Sequence, residues 1–220
     1  IRGPSCADGR QNGGEAGVDC GGACALLCPA TAREPRTLWQ RVFLEGGGIA
    51  SAVLYAENTN EYAGAFDAPY QVKVYDSSGL LVAERRVAAT IPPGGTFAVF
   101  APNLFVGERV PVRASFERTA RIVWRRDVFP VNAVRVERVE LSLTPQTRVD
   151  AIVVNTTQIP SRAVAVALLY DTDGNAVGAS QTVTDELRAG ASLSVSFVWR
   201  APVLPLPVRA EIMVAARDAR

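Results

Sequence analysis

The sequence predicts an all-β protein: two tandem β-sandwiches behind a small disulfide-rich N-terminal segment. Three observations carry that expectation. From Arg36 onward the 220-residue chain breaks into short alternating or β-branched runs separated by Gly, Pro, Asn and Asp clusters, with no period-3.6 segment longer than two turns. These runs form two series that echo each other at a spacing of about 95 residues. All four cysteines lie between Cys6 and Cys28.

In the N-terminal segment, Cys6, Cys20, Cys24 and Cys28 are separated by thirteen, three and three residues, and the chain has no histidine. A zinc ribbon needs Cys-x2-Cys knuckles, so disulfides are expected, in an oxidising compartment outside the cytosol. Four cysteines allow three pairings, and the spacing does not choose among them. A glycine-rich stretch this short has no core of its own, so two bridges worth about 2–4 kcal/mol each would be its main source of order.

Asp8, Asn12, Glu15 and Asp19 place four oxygen-bearing side chains within twelve residues of this loop. They admit two readings: ligands of a Ca²⁺ ion, which gathers six to eight oxygens, or Asx turns that fold and solvate a disulfide knot. The spacing is not that of an EF-hand. No organic cofactor is expected.

The strands expected in the first series are residues 38–45, 49–58, 70–75, 80–87, 96–101 and 110–117; those in the second are 133–143, 148–155, 163–170, 176–183, 192–199 and 208–215. Val53-Leu54-Tyr55-Ala56-Glu57-Asn58-Thr59 returns 97 residues later as the run from Asp150 to Thr156, and Val74-Tyr75-Asp76-Ser77-Ser78-Gly79 returns 95 residues later as the run from Leu169 to Gly174. Gly94, before a strand, returns as Gly190. This pattern reads as a duplication of one domain, with boundaries at 1–32 for the Cys-rich segment, 33–128 for the first sandwich and 129–220 for the second.

The repeated Tyr-Asp-x-x-Gly has a local cause. Asp76 and Asp171 accept N–H bonds from the residues that follow, while Gly79 and Gly174 supply the positive φ that closes each hairpin. The Asn-Thr that ends an earlier strand in each series caps a turn. Asn155-Thr156-Thr157 also spells a glycosylation sequon, a reading that ranks below the structural one.

Composition excludes several functions. With 23 basic and 22 acidic residues the net charge is +1, too balanced for a nucleic-acid footprint. No apolar run approaches the roughly 20 residues of a membrane helix. The chain starts at Ile1, which leaves room for a leader or anchor before it. Without histidine, and with Lys73 the only lysine, the commonest general base and nucleophilic amine are missing. No Gly-x-Ser-x-Gly, phosphate loop or paired-carboxylate constellation appears. Trp39, Trp124 and Trp199 are expected in core or interdomain packing rather than on a sugar-stacking face, and Val203-Leu204-Pro205-Leu206-Pro207 as an extended connection.

The order strand, Asn-Thr turn, strand, Tyr-Asp-x-x-Gly, strand, Gly, strand resembles the small immunoglobulin-like sandwiches of the FxLyD type, relatives of LEA14-like domains. Val74-Tyr75-Asp76 and Leu169-Tyr170-Asp171 stand where that name has Leu-Tyr-Asp. The resemblance covers roughly residues 36–217 and implies two tandem immunoglobulin-like β-sandwiches, extracytoplasmic modules. The run from Cys6 to Cys24 resembles a Cys-x-Asp-Gly-x-x-Asn-Gly-x-Glu-x-Gly-x-Asp-Cys-Gly-Gly-x-Cys motif of bacterial surface and secreted proteins, which implies a cell-surface location with an anchor just before the motif.

These readings converge on a non-enzymatic binding or assembly protein at a bacterial cell surface, with a protein partner or self-association, or a subunit of a surface structure. The alternative is a carbohydrate-binding or enzyme-accessory module.

Overall fold

The computed structural model describes residues 5–126 and 133–217. The described residues contain twelve strands: β1 (Arg36–Gly46), β2 (Ile49–Asn58), β3 (Ala65–Asp76), β4 (Leu81–Ile91), β5 (Gly95–Phe105), β6 (Pro111–Arg118), β7 (Val134–Ser142), β8 (Arg148–Asn155), β9 (Arg162–Tyr170), β10 (Ala176–Val183), β11 (Ser192–Val198) and β12 (Arg209–Arg217). The chain is all-β, two tandem immunoglobulin-like sandwiches with a disulfide-bonded N-terminal segment. The boundary expected between Arg125 and Asn132 falls largely on residues 127–132, outside the described set.

In the first sandwich the sheet β1-β2-β5 faces the sheet β4-β3-β6; in the second, β7-β8-β11 faces β10-β9-β12, all pairs antiparallel. Strand for strand the two orders are the same. Each inner face is built on the period-2 alternation of the strand. In β2, Ala50, Ala52, Leu54 and Ala56 point inward, with Val99 beside them in β5, against Val72 and Val74 of β3 in the opposing sheet and their neighbours. In β9 the inward set is Ala163, Ala165, Ala167 and Leu169, packed with Val149, Val153 and Phe197.

The residues between these positions define a third layer of packing. Val53 of β2, together with Trp39, Phe43, Tyr55 and Phe100 around it, meets Val166, Leu168, Tyr170 and Ala179 of the second sandwich in one apolar cluster. The outer face of β1-β2-β5 therefore lies against the outer face of β10-β9-β12, and both β2 and β9 are buried on two sides. At about 25 cal/mol per Å² of apolar surface removed from water, each large side chain in this cluster contributes roughly 1.5–3 kcal/mol to holding the sandwiches together.

Polar contacts set the relative direction of the two units. Arg41 donates from Nη1 to the Ala176 carbonyl at 2.9 Å and from Nη2 to Asn175 Oδ1 at 3.2 Å. Tyr55 donates to Glu211 Oε1 at 3.1 Å. Arg217 reaches Asp67 at 3.4 Å. The Asn175–Ala176 hairpin tip of the second sandwich meets the middle of β1, while Arg217 at the opposite end of β12 meets Asp67 near the start of β3, so the two sandwiches point the same way.

Candidate functional site

The N-terminal knot is closed by Cys6–Cys24 and Cys20–Cys28, and every described cysteine is paired. It is docked on the first sandwich. Leu27 N–H donates to the Trp124 carbonyl at 3.0 Å, Arg126 N–H to the Ala25 carbonyl at 2.8 Å, and Leu26 bridges Arg125. Leu27 and Ala32 complete the apolar cluster around Ala63, Phe97, Ile122 and Trp124, so the knot closes one end of that core. Asn60, with its Nδ2 on the Arg33 carbonyl and its Oδ1 accepting from Arg33 N–H, both at 2.8 Å, pins the segment that leads into β1.

The structure brings Asp8, Asn12, Glu15 and Asp19 into one loop, and most of their bonds run to its own backbone. Asp19 accepts from Asp8 N–H at 2.9 Å and from Gly9 N–H at 3.0 and 3.1 Å. Glu15 Oε2 accepts from Asn12 N–H and Asp19 N–H, each at 3.2 Å. Asn12 Nδ2 donates to Asp8 Oδ2 at 2.9 Å, which holds that carboxyl below the usual range. Glu15 also lies beside Cys6 and Cys24, but those sulfurs are joined to each other and offer no thiolate to a metal. Asn12 Oδ1 is buried without a hydrogen-bond partner.

Asp76, Gly79, Asp171 and Gly174 form two equivalent hairpin turns. Asp76 Oδ1 accepts from Ser78 N–H and Leu80 N–H, both at 3.0 Å; Asp171 Oδ1 accepts from Asp173 N–H at 3.0 Å and Asn175 N–H at 2.8 Å. Gly79 and Gly174 have φ of +82° and +78°. Ser78, the Leu80 and Ser78 amides and the Arg109 guanidinium together hold the Asp76 carboxyl down at about 2. The preceding tyrosines are equivalent as well: Arg113 stacks over Tyr75 at 4.2 Å and Arg209 over Tyr170 at 4.0 Å.

Asn58 and Asn155 carry more than a turn cap. Each is essentially inaccessible to solvent. Asn58 Nδ2 donates to the Ala63 and Pro92 carbonyls at 2.8 and 2.7 Å, and Asn155 Nδ2 to those of Ile159, Leu187 and Arg188 at 2.8, 3.1 and 3.2 Å. Each amide thus ties together two loops at the end of its sandwich. In the folded chain Asn155 Nδ2 has no room for a glycan.

Trp124 and Trp199 are buried in the two cores, while Trp39 stacks on Tyr55 at 5.1 Å inside the contact between sandwiches. An open cleft of about 1160 Å³ runs along one side of that contact, lined by Arg41, Leu44, Asn175, Trp199 and Leu204 among others. Trp199 lines it but is only 7% exposed, and Trp39 is not part of its lining. The apolar contact itself was not singled out in the sequence. Its signal was the unbroken run Ala163–Tyr170, since a strand apolar at every position is buried on both faces.

No family model matches the chain, and no curated protein matches it. Among solved structures it is similar to Bacteroides uniformis β-glucuronidase 2 covalently bound to cyclophellitol-6-carboxylate aziridine, with 14% identity and a TM-score of 0.26 over 79% of this chain and 25% of that one. It is also similar to a Bacteroides uniformis β-glucuronidase with 13% identity and a TM-score of 0.26, over 84% of this chain and 30% of that one. The chain spans between a quarter and a third of the length of those structures. At these TM-scores the likeness bears on neither activity nor substrate.

Proposed function

We propose that the chain is a non-enzymatic binding or assembly protein of a bacterial cell surface, made of a disulfide knot and two copies of one sandwich domain. The observation that carries this reading is the pair of disulfides docked on the end of a sandwich. They suit an oxidising exterior and a small segment that must stay folded without a core. Supporting the duplication are the shared strand order, the paired Asn58 and Asn155 loop ties, and the arginine stacked on tyrosine at the same place in both units. The resemblance to FxLyD-type modules and to the surface-protein motif belongs to the same reading. The carbohydrate-binding alternative would need a row of exposed aromatics on one face, and the three tryptophans do not supply one.

Calcium at the knot is a subsidiary part of the proposal. The buried Asn12 Oδ1 is an unused acceptor, and Asp8, Glu15 and Asp19 retain lone pairs beyond those given to N–H donors. Titration calorimetry of Ca²⁺ into the intact chain decides the point. Binding heat together with slower proteolysis of residues 5–30 supports the ion, and no heat removes it.

The main test is protease treatment of intact cells that make the natural full-length protein, followed by alkylation without reductant. Peptides from both sandwiches should be released from intact cells, and no cysteine should take up label. Peptides released only after lysis, with labelled thiols, would overturn the surface reading.

A further inference from the structure

Every outward sheet face that is not buried between the sandwiches carries paired charges. On β4-β3-β6, Lys73 pairs with Glu117 at 2.7 Å. On β7-β8-β11, Arg148 pairs with Asp150 at 2.7 Å, and Arg138 pairs with Glu140. The loop tips at the end opposite the knot are different. Of the nineteen exposed large apolar residues described, eleven sit at or beside the β1–β2, β3–β4, β5–β6, β7–β8 and β11–β12 connections at that end. Phe105 is 70% exposed, Val110 65% and Leu204 74%, and Leu44, Leu80 and Leu206 are exposed at the same set of connections.

The tips are braced. Val106 N–H donates to the Gly48 carbonyl at 2.8 Å, Arg109 pairs with Asp76 at 2.8 Å, and an added Cβ on Gly46 would lie 3.6 Å from Ala201 Cβ, so the tips of both sandwiches adjoin. The patch continues into the established contact between sandwiches, because Leu44 and Leu204 line the cleft along its side. The eleven residues expose on the order of 1,000 Å², against the roughly 800 Å² per partner that a stable interface buries. An apolar patch is complementary to itself, and a net charge of +1 leaves little repulsion between copies.

We infer that the tip end is a self-association surface, through which two copies of this chain meet tip to tip about a two-fold axis with their knots pointing apart. This rests on the assembly reading above and names its surface and its partner. An isologous contact of this kind closes on itself, so it yields a dimer and not a fibre.

Sedimentation of the intact chain across the micromolar range tests it, with Phe105→Asp and Val110→Lys as tip variants and Val123→Asp, a 60% exposed apolar position beside the knot, as control. The wild type and Val123→Asp should dimerise with the same Kd. Each tip variant should weaken the dimer at least tenfold while its thermal unfolding stays unchanged. A monomeric wild type, or a tip variant that dimerises as tightly as the wild type, overturns the inference. So does a monomer that is retained on neutral phosphatidylcholine vesicles, which would assign the tips to a lipid surface. A monomer whose peptides are still released by protease from intact cells refutes the dimer and leaves the surface reading standing.

Discussion

β2 and β8 occupy the same place in their sandwiches and bury the same kind of inner face, yet their outer faces have opposite fates. At one position β2 has Val53, flanked by Arg41 and Phe100, where β8 has Asp150, flanked by Glu140 and Ser196. One step along, Tyr55 with Trp39 and Ala98 corresponds to Ile152 with Arg138 and Ser194. The other sheets reverse the assignment: β9 turns Val166 and Leu168 outward where β3 has Gln71 and Lys73. A few outward side chains therefore decide which faces dock, while the inner alternation that makes the sandwich is left untouched. Fold and assembly are written in alternate residues of the same strands.

The sharpest way to break this comparison is to exchange the two kinds of face. Val53 is fully buried, so Val53→Asp places the Asp150 chemistry inside the contact and should cost about 4 kcal/mol or more in denaturant unfolding, as an unpaired buried charge. The reciprocal Asp150→Val removes an exposed pair and should change stability by only about 0.5 kcal/mol. Equal effects for the two substitutions would mean that the faces are not distinguished by burial.

Features that the two sandwiches share should respond alike. Asn58→Ala and Asn155→Ala each strand two or three buried carbonyls and should cost about 3 kcal/mol by chemical denaturation. Gly79→Val and Gly174→Val should each cost roughly 1 kcal/mol. Both glycines have positive φ and nothing within 4 Å of an added Cβ, so only the backbone term remains. A large difference within either pair would mark a place where the units have diverged.

The smallest effect concerns the first turn alone. Because the folded pKa of Asp76 is depressed to about 2, the stability it lends is present above the unfolded value near 3.9 and is lost as pH falls toward the folded one. Protection of the Ser78 and Leu80 amides, measured against their intrinsic exchange rates at each pH, should fall as pH is lowered from about 4 to about 2. Asp76→Asn should remove that dependence. An unchanged profile in the variant would show that another group governs the turn.

The strands were legible wherever alternation was clean. β2, β8 and β10 begin and end where the pattern places them, and both Asp-x-x-Gly turns could be read directly. β3 begins at Ala65 rather than residue 70 because Asp67, at φ +49°, and Pro69 interrupt the alternation while a register shift keeps the strand paired with β4. β5 likewise runs past Pro102 and Asn103, the latter at φ +53°, to Phe105. The knot's acids were legible as a cluster. The cysteine pairing was not, because it depends on how the loop folds around Asp19 and Glu15.

The docked faces are not the same face twice. The β1-β2-β5 sheet of one unit meets the sheet of the next that corresponds to β4-β3-β6, so the contact has a head and a tail. A head-to-tail contact contains no rule that ends it: in principle a third unit could follow the second, and a fourth the third. Lys73, Glu84 and Glu117 on one outer face, and Arg138, Glu140, Arg148 and Asp150 on the other, put charge where a further unit docked in the same way would need apolar side chains.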